Sequence, residues 1–303
     1  MKLNLKSIAN PADWKGYDLP KFDVAAMVER TKAAPTWLHM GAGNIFRIFV
    51  AAAQQDLLET GHATTGILVY EAFDQKIIPA SFTPYDNLTL GVTLNADGSI
   101  EKRVIASMAD AFCGDFPRLR KIIAAPSLQM ISLTITEKGY AVNPATVCAT
   151  PDDAKTTIEQ IAAGLVSRHE AAAPPCALVT MDNFAENGEQ LKKSVLTVVD
   201  TWLANGKVTA ELKAYVEKQS FPWTMIDKIT PRPSEDVAKM LSETGYEDTA
   251  ITETPSHTFV ASFVNAEAAK YLIIEDDFPN GRPPLEKAGI YLTDRETVRK
   301  MDQ

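Results

Sequence analysis

Short apolar runs alternate with longer amphipathic segments over most of the chain. Apolar runs of the length typical of buried strands lie at residues 36–40, 66–70, 129–134 and 176–180. Segments with the apolar spacing of helices lie at residues 44–59, 116–124, 152–172 and 189–204. Strands that alternate with helices in this way predict an α/β fold built on a doubly wound parallel sheet.

A different pattern interrupts this alternation after the second apolar run. Residues 88–94 alternate between apolar and polar side chains, residues 96–99 carry turn formers, and residues 100–105 form a second extended segment. This pattern predicts an antiparallel β-hairpin, inserted into the α/β fold or attached at its edge. Farther along the chain, apolar runs that indicate strands lie at residues 258–264 and 271–274.

Composition and charge narrow the classes of function that the chain can have. The net charge is −9, from 30 basic and 39 acidic residues, which argues against nucleic-acid binding because phosphates need a basic face. Three cysteines and four histidines are scattered, so we expect neither a disulfide framework nor a metal site built by the protein. The N-terminus lacks the apolar core of a signal peptide and no apolar run is long enough to span a membrane, which together predict a cytoplasmic protein.

The strongest local signal is a glycine pair between the first predicted strand and the helix that follows it. Gly41 would form the tight turn, and Gly43 would let a pyrophosphate approach the backbone, as in Rossmann-like dinucleotide-binding folds. Free N–H groups and the positive end of the helix dipole would complete such a site, at residues Asn44, Ile45, Phe46 and Arg47. Phe46 stands where the usual third glycine would be, so the motif is partial, and a purely structural strand-to-helix turn is the alternative.

An acidic residue follows the second predicted strand. Glu71 stands where a carboxylate of a dinucleotide-binding fold accepts hydrogen bonds from the adenosine ribose hydroxyls. A carboxylate in this place favours NAD over NADP, because it would repel a 2′-phosphate. Asp74 is close enough along the chain to do the same, and an ordinary solvated glutamate is the other alternative.

Polar segments follow two further predicted strands, at the edge of the sheet where α/β proteins bind ligands. Thr136, Glu137 and Lys138 follow the third apolar run, and Asn183 follows the fourth. Asp227 lies in an apolar context farther on, where it could contact a ligand or cap a helix or turn. Each of these segments could also be an ordinary polar loop.

Taken together and in chain order, these motifs resemble those of the polyol-specific long-chain dehydrogenases. That family includes mannitol 2-dehydrogenase, fructuronate reductase (mannonate oxidoreductase) and tagaturonate reductase. The resemblance runs from about residue 37 to the C-terminus and rests on GAGN at 41–44, TEKGY at 136–140, DN at 182–183 with NG at 187–188, residues 221–231, and EDDFPNGRP at 275–283. Within the family, residues 128–140 are most similar to the mannonate oxidoreductase branch.

The resemblance implies metal-free, NAD(P)-dependent hydride transfer between a secondary alcohol of a sugar acid or polyol and its ketone. In the family, the general base is a lysine on a helix of the C-terminal domain, and an asparagine and a histidine follow it. A lysine in a closed, desolvated cleft has a lowered pKa and can take the alcohol proton. Asn183 matches a further family asparagine that helps to hold the reacting oxygen. We expect NAD as cofactor and D-mannonate with D-fructuronate as substrate pair, with mannitol 2-dehydrogenase or tagaturonate reductase activity as alternatives.

The chain departs from the family pattern at two motif positions and at its C-terminus. Phe46 replaces the usual histidine after the glycine motif, and Lys228 replaces the usual arginine after Asp227. The chain ends three residues after Lys300, so the expected asparagine and histidine do not follow this lysine. Lys300 is therefore one candidate for the base, and a lysine beyond Gln303 is the other. We expect the family's helical C-terminal domain to be missing and the 303-residue chain to bind cofactor without dehydrogenase activity.

The motifs predict a division of the chain into three parts. Residues 1–35 are a polar lead-in with one short helix, residues 36–290 the Rossmann-type dinucleotide-binding domain, and residues 291–303 the start of a helical catalytic domain. Two hypotheses of other classes are a non-catalytic dinucleotide-binding protein and a methyltransferase, since the glycine pair and Glu71 would also suit S-adenosylmethionine. The order of the five family segments argues against the methyltransferase.

Overall fold

The structure is a computed structural model that describes residues 1–302. Its strands are, in chain order, β1 (Trp37–Met40), β2 (Ile67–Tyr70), β3 (Thr89–Leu94), β4 (Ile100–Ile105), β5 (Met108–Phe112), β6 (Met130–Leu133), β7 (Ala177–Thr180), β8 (Thr224–Asp227), β9 (Thr252–Glu253), β10 (Phe259–Val260), β11 (Phe263–Glu267), β12 (Tyr271–Glu275) and β13 (Tyr291–Thr293). Its α-helices are α1 (Leu5–Ile8), α2 (Val24–Ala33), α3 (Ala51–Glu59), α4 (Ile77–Ser81), α5 (Phe116–Ile123), α6 (Thr157–Glu170), α7 (Asn187–Ala204), α8 (Ala210–Glu217), α9 (Glu235–Glu243) and α10 (Arg295–Met301). A π-helical turn, Phe46–Val50, leads directly into α3.

Five parallel strands form the central sheet, in the order β5-β2-β1-β6-β7. The chain begins in the middle with β1, adds β2 and β5 on one side, and then crosses to add β6 and β7 on the other. This is the doubly wound arrangement that the sequence predicts. The carboxyl ends of β1 and β6 flank the point at which the winding changes direction, and ligands bind at that point in open α/β sheets.

Both faces of the central sheet are covered by apolar side chains. On β1, Leu38 and Met40 belong to a core shared with α5, α6 and α7. Trp37 belongs to a second core on the opposite face, shared with α3 and with strands β11 and β12. A sheet that is buried on both faces needs strands of consecutive apolar residues, which explains the short apolar runs of the sequence.

The predicted hairpin is confirmed, and it forms part of a separate sheet. β3 and β4 pair antiparallel over their full lengths, and β11 lies parallel to β3 on the other side. β13, β12 and β8 form another three-stranded sheet, and β9 pairs with β10. Residues 1–35 are polar on average, yet Leu3 and Trp14 are fully buried beside the hairpin, in one cluster with Leu90.

Several elements differ from the sequence prediction, and they include the following three. The helix predicted at residues 152–172 begins only at Thr157, because Thr156 and Glu159 form the reciprocal hydrogen bonds of a capping box. The strand predicted at residues 258–264 is two strands, β10 and β11, which belong to two different sheets. The sequence does not predict β5, the fifth parallel strand, because the polar side chain of Asp110 interrupts its short apolar run.

Candidate functional site

The glycine turn at the end of β1 lies against the neighbouring strand. Gly41 has a φ of +114°, and a Cβ atom placed on it would lie 2.2 Å from the carbonyl oxygen of Thr134. The N–H of Gly41 donates to the carbonyl oxygen of Tyr70 over 2.8 Å. Gly41 is therefore required by the fold itself, since only glycine combines this φ with so close an approach to Thr134.

Gly43, unlike Gly41, is not crowded by neighbouring atoms. A Cβ atom placed on it would meet nothing within 4 Å, so the turn opens onto free space at this residue. The helical segment begins directly afterwards, at Asn44. The first turn of a helix leaves N–H groups without intrahelical partners and carries the positive end of the dipole, which together favour an anion. The space beside Gly43 is open, and the predicted phosphate contact at this residue stays a prediction.

Glu71 connects the end of β2 to the glycine turn. Its Oε1 atom accepts a hydrogen bond of 2.9 Å from the N–H of Ala42. Its Oε2 atom accepts from the N–H groups of Phe73 and Asp74, at 3.1 and 3.3 Å. Burial raises the pKa of the Glu71 carboxyl, and these three N–H donors oppose that shift. The carboxylate thus fixes the relative position of the two loops that would hold a dinucleotide.

Two residues in the loop after Glu71, Phe73 and Asp74, differ in exposure. Asp74 is buried, and its Oδ2 atom accepts a hydrogen bond of 2.7 Å from the hydroxyl of Thr254. This contact occupies one oxygen of the Asp74 carboxylate, which was the alternative to Glu71 for binding the adenosine ribose. Phe73, in contrast, is 81% exposed, although its backbone is held by Glu71. The sequence analysis missed Phe73, whose only signal is an aromatic residue in the loop after β2.

Two residues of the first helical turn are buried rather than available to a ligand. Phe46 is fully buried, and its ring stacks on the ring of His39 with 3.7 Å between centroids. The Arg47 guanidinium is fully buried and donates to the Thr89 hydroxyl at 3.0 Å and to the Ala261 carbonyl oxygen at 2.9 Å. Burial lowers the pKa of Arg47 to about 10. The Arg47 side chain thus joins the hairpin sheet to the glycine turn, and its backbone N–H donates to the carbonyl oxygen of Gly43. The role of Arg47 in cofactor binding stays a prediction.

The loops after β6 and β7 are joined by the carboxylate of Asp182. Its Oδ1 atom accepts from the N–H of Thr136 at 3.0 Å, and its Oδ2 atom accepts from the N–H of Ile135 at 2.9 Å and from the hydroxyl of Tyr140. Thr136 has φ +64° and ψ 158°, a region that is essentially restricted to glycine. A β-branched residue in that conformation costs about 1–3 kcal/mol, so the surrounding contacts must hold it there.

A cleft of about 630 Å³ lies between these two loops. Glu137 and Lys138 line one side, and Phe184, Glu186 and Lys193 line the other. Asn183 is exposed on the same loop, between Asp182 and Phe184. The structure therefore brings together the two predicted segments, residues 136–138 and Asn183, at the carboxyl edge of the sheet.

The start of β8 is attached to this edge, whereas Asp227 is not. The Asn187 amide donates to the Asp182 carbonyl oxygen at 3.0 Å and accepts from the N–H of Thr224 at 3.0 Å. Asp227 is exposed at the other end of β8, opposite Tyr271. Three residues of a strand span about 10 Å, so Asp227 lies that far along β8 from Thr224. The catalytic role of Asp227 stays a prediction.

Lys300 lies exposed on α10, near the end of the described chain. The helix is fixed by Val298, which is buried against Trp223 and Ile273. Asp302 lies two residues after Lys300, and burial raises the pKa of its carboxyl. Glu186 is close enough to affect this pKa: its N–H lowers the pKa and its carboxylate raises it. The end of α10 therefore lies beside the loop that carries Asn183.

Within residues 1–302 there is no group of three or more His, Cys, Asp or Glu side chains that could hold a metal ion. In the same residues, no helix combines the length and the apolar character that crossing a membrane requires.

Comparison with known proteins identifies similar sequences and structures. Residues 35–287 match the sequence model of a family described as the mannitol dehydrogenase Rossmann domain. A D-mannonate oxidoreductase of Thermotoga maritima is 45% identical over all of this chain and 60% of its own length. A polyol:NADP oxidoreductase of Gluconobacter oxydans is 28% identical over 87% of this chain and 54% of its own length.

A solved structure supports the same relationship. The mannitol 2-dehydrogenase of Pseudomonas fluorescens, in complex with NAD and D-mannitol, matches with a TM-score of 0.80 and 26% identity. The match covers 98% of this chain and 59% of that protein. The chain thus spans 54–60% of the length of these three relatives, and the part that matches the family model is its Rossmann domain.

Proposed function

Because this chain belongs to the mannitol dehydrogenase family through its Rossmann domain, we propose that it is the cofactor-binding part of an NAD-dependent oxidoreductase. The proposed reaction interconverts a secondary alcohol of a sugar acid or polyol and its ketone. D-Mannonate and D-fructuronate are the proposed pair, on the strength of the 45% identical relative named D-mannonate oxidoreductase. The observation that carries the proposal is the joined pair of loops after β1 and β2, where Glu71 holds the glycine turn beside the open space at Gly43.

Each part of the dinucleotide has a matching group in this arrangement. Gly43 and the N–H groups of the helix that begins at Asn44 would hold the pyrophosphate. Glu71 would accept from the adenosine ribose: a carboxylate offers about four acceptor positions, and three are used by Ala42, Phe73 and Asp74. The exposed ring of Phe73 would then lie beside the adenine, which is attached to that ribose. Thr136, Glu137 and Lys138 would contact the other half of the cofactor.

The preference for NAD over NADP rests on the charge of Glu71. A 2′-phosphate would place two further negative charges beside this carboxylate, and the resulting repulsion disfavours NADP. The Pseudomonas fluorescens relative was solved with NAD, whereas the Gluconobacter oxydans relative is named for NADP. Cofactor choice therefore needs its own test in this chain.

The chemistry at the reacting carbon requires a base and a group that orients the oxygen. Bound NAD supplies the hydride acceptor. Asn183, exposed on the loop that borders the cleft, would donate its amide N–H to the alcohol or carbonyl oxygen, but an amide cannot take up the alcohol proton. Lys300, exposed on α10, is the proposed base within this chain, and a lysine outside the 303 residues is the alternative.

One experiment tests the proposed cofactor site and a second tests the proposed reaction. Calorimetric titration of the 303-residue chain with NADH and NADPH should show tighter binding of NADH. The whole protein should oxidise D-mannonate with NAD, and altronate and mannitol are the comparison substrates. Absence of binding of either dinucleotide would contradict the cofactor site. Activity on none of the three substrates would contradict the proposed reaction.

A further inference from the structure

One carboxylate holds both ends of the turn that lines the cleft. Asp182 accepts from the N–H of Thr136, where the 3-10 turn Glu137–Tyr140 begins, and from the hydroxyl of Tyr140, where that turn ends. It also accepts from the N–H of Ile135. We propose that Asp182 is a positioning residue for cofactor binding, whose carboxylate keeps the turn in the conformation that presents Glu137 and Lys138 to the cleft. This inference rests on the proposed function.

The backbone at Thr136 explains why the turn needs such a support. Its φ of +64° and ψ of 158° are rarely adopted by any residue with a side chain. Without an acceptor for the N–H groups of Ile135 and Thr136, the chain would relax to an ordinary φ. Such a change of φ would redirect Glu137 and Lys138, which follow immediately.

The chemistry of the three partners explains why the supporting residue is a carboxylate. Two of the partners are backbone N–H groups and the third is a phenol, and an ionised carboxylate is a pure acceptor. Burial and the neighbouring Asp182 charge raise the pKa of the Tyr140 hydroxyl well above its usual value, so the phenol stays protonated and donates. An asparagine in place of Asp182 has one acceptor oxygen, and its NH2 group would face either the N–H of Thr136 or the donors of Ile135 and Tyr140. At least one hydrogen bond would therefore be lost.

The other contacts of Tyr140 tie the same turn to β7 and α7. Its hydroxyl lies within hydrogen-bond distance of the Thr180 hydroxyl, and its carbonyl oxygen accepts from the hydroxyl of Ser194. The Tyr140 end of the turn is thus held by several groups. The Thr136 end depends on Asp182, and we expect that end to move when the carboxylate is lost.

The test is binding of NADH to the 303-residue chain, measured by calorimetry. Asp182→Asn should raise the Kd for NADH on the order of tenfold, because one buried hydrogen bond to a charged group is lost and a donor is left unpaired. The matched control is Asp200→Asn on α7, whose carboxylate pairs with Lys213 outside the cleft and whose loss should leave the Kd unchanged.

A rescue experiment separates positioning from general damage. Glycine adopts the conformation of Thr136 without strain, so Asp182→Asn should raise the Kd for NADH less in a Thr136→Gly background than in the unaltered chain. An equal rise in both backgrounds would contradict the inference, because the loss would then not arise from the backbone at residue 136. Hydrogen exchange gives a second readout, in which the amides of Ile135 and Thr136 should exchange faster in Asp182→Asn even without cofactor.

The outcomes distinguish this inference from the proposed function. If the unaltered chain binds no NADH, the proposed function fails. If it binds NADH and Asp182→Asn binds equally well, only the inference fails. Should Asp182→Asn not fold, Tyr140→Phe, which removes one of the three donors, carries the test. It should weaken NADH binding and speed exchange at Thr136, and no change in either measurement would contradict the inference.

Discussion

The Oε1 atom of Glu71, at the end of β2, accepts a hydrogen bond of 2.9 Å from the backbone N–H of Ala42, in the turn at the end of β1. This bond has two consequences. It holds the glycine turn at a fixed distance from the end of β2, and it keeps the Glu71 carboxylate, with its negative charge, beside the proposed position of an adenosine ribose. Removing the charge should therefore affect both affinity and cofactor choice.

We expect Glu71→Gln to bind NADH about tenfold more weakly, because the amide cannot accept all three N–H bonds and leaves one donor unpaired. The ratio of the Kd values for NADH and NADPH should move toward NADPH, since repulsion of the 2′-phosphate is removed. Calorimetry with both cofactors measures the two effects. Glu253→Gln, on exposed β9, is the control, and an unchanged ratio in Glu71→Gln would contradict the role of the charge.

The two glycines of the turn should respond differently to substitution. Gly43→Val should fold normally, because a Cβ at this residue meets open space, and yet it should lose NADH binding by about a hundredfold or more, because the backbone approach is blocked. Chemical unfolding should show an unchanged free energy of unfolding. Retained NADH affinity would move the phosphate site away from Gly43.

Gly41→Ala provides the contrasting case. Its Cβ would lie 2.2 Å from the Thr134 carbonyl oxygen, at a φ of +114°. We expect a loss of about 3 kcal/mol or more in the free energy of unfolding, from backbone strain and overpacking together. A variant as stable as the unaltered chain would contradict the structural role of this glycine.

Local sequence patterns predict four of the five strands of the central sheet, the glycine turn and the position of Glu71, because each depends on residues that are close together along the chain. The side-chain partners depend on distant residues. Arg47 directly follows the glycine motif, where a phosphate contact would be expected. Its guanidinium is instead buried and donates to the carbonyl oxygen of Ala261, which lies far along the chain. Asp182 and Asn183 are adjacent and both polar, so the sequence alone does not distinguish their roles. The structure does, because the loop after β6 donates two backbone N–H groups to Asp182.

Phe73 should contribute to binding of the adenine part of the cofactor. An aromatic side chain that is 81% exposed offers a face on which a base can stack, and such stacking typically contributes about 1–3 kcal/mol. Phe73→Ala should weaken binding of NADH and of AMP by a similar factor, about fivefold or more. Binding of nicotinamide mononucleotide should stay the same. Phe73→Tyr is the matched control, because it keeps the aromatic face, and equal AMP affinity in Phe73→Ala would contradict the contact.

The stability of the chain should fall with decreasing pH because of His39, which is fully buried beneath the glycine turn. Its Nδ1 atom lies 2.6 Å from the Ser132 hydroxyl, and its Nε2 atom lies 2.8 Å from the Thr134 hydroxyl. The Ser132 hydroxyl also accepts from the indole N–H of Trp37, so both ring nitrogens of a neutral His39 have a hydroxyl partner within a network of buried side chains.

Burial lowers the pKa of His39 well below 6.5, so the folded chain keeps the ring neutral at a pH where the unfolded chain protonates it. The resulting stability is therefore fully present above about pH 6.5 and is lost progressively as the pH falls toward the folded-state pKa, by at most about 1.4 kcal/mol per pH unit. Urea unfolding at pH 8, 7, 6 and 5 measures this slope. His39→Gln should be less stable at pH 8, since it loses the stacking on Phe46, but its stability should decline less steeply between pH 7 and 5. His257→Gln, at an exposed residue, should keep the slope of the unaltered chain, and equal slopes in all three proteins would show that His39 is not the titrating group.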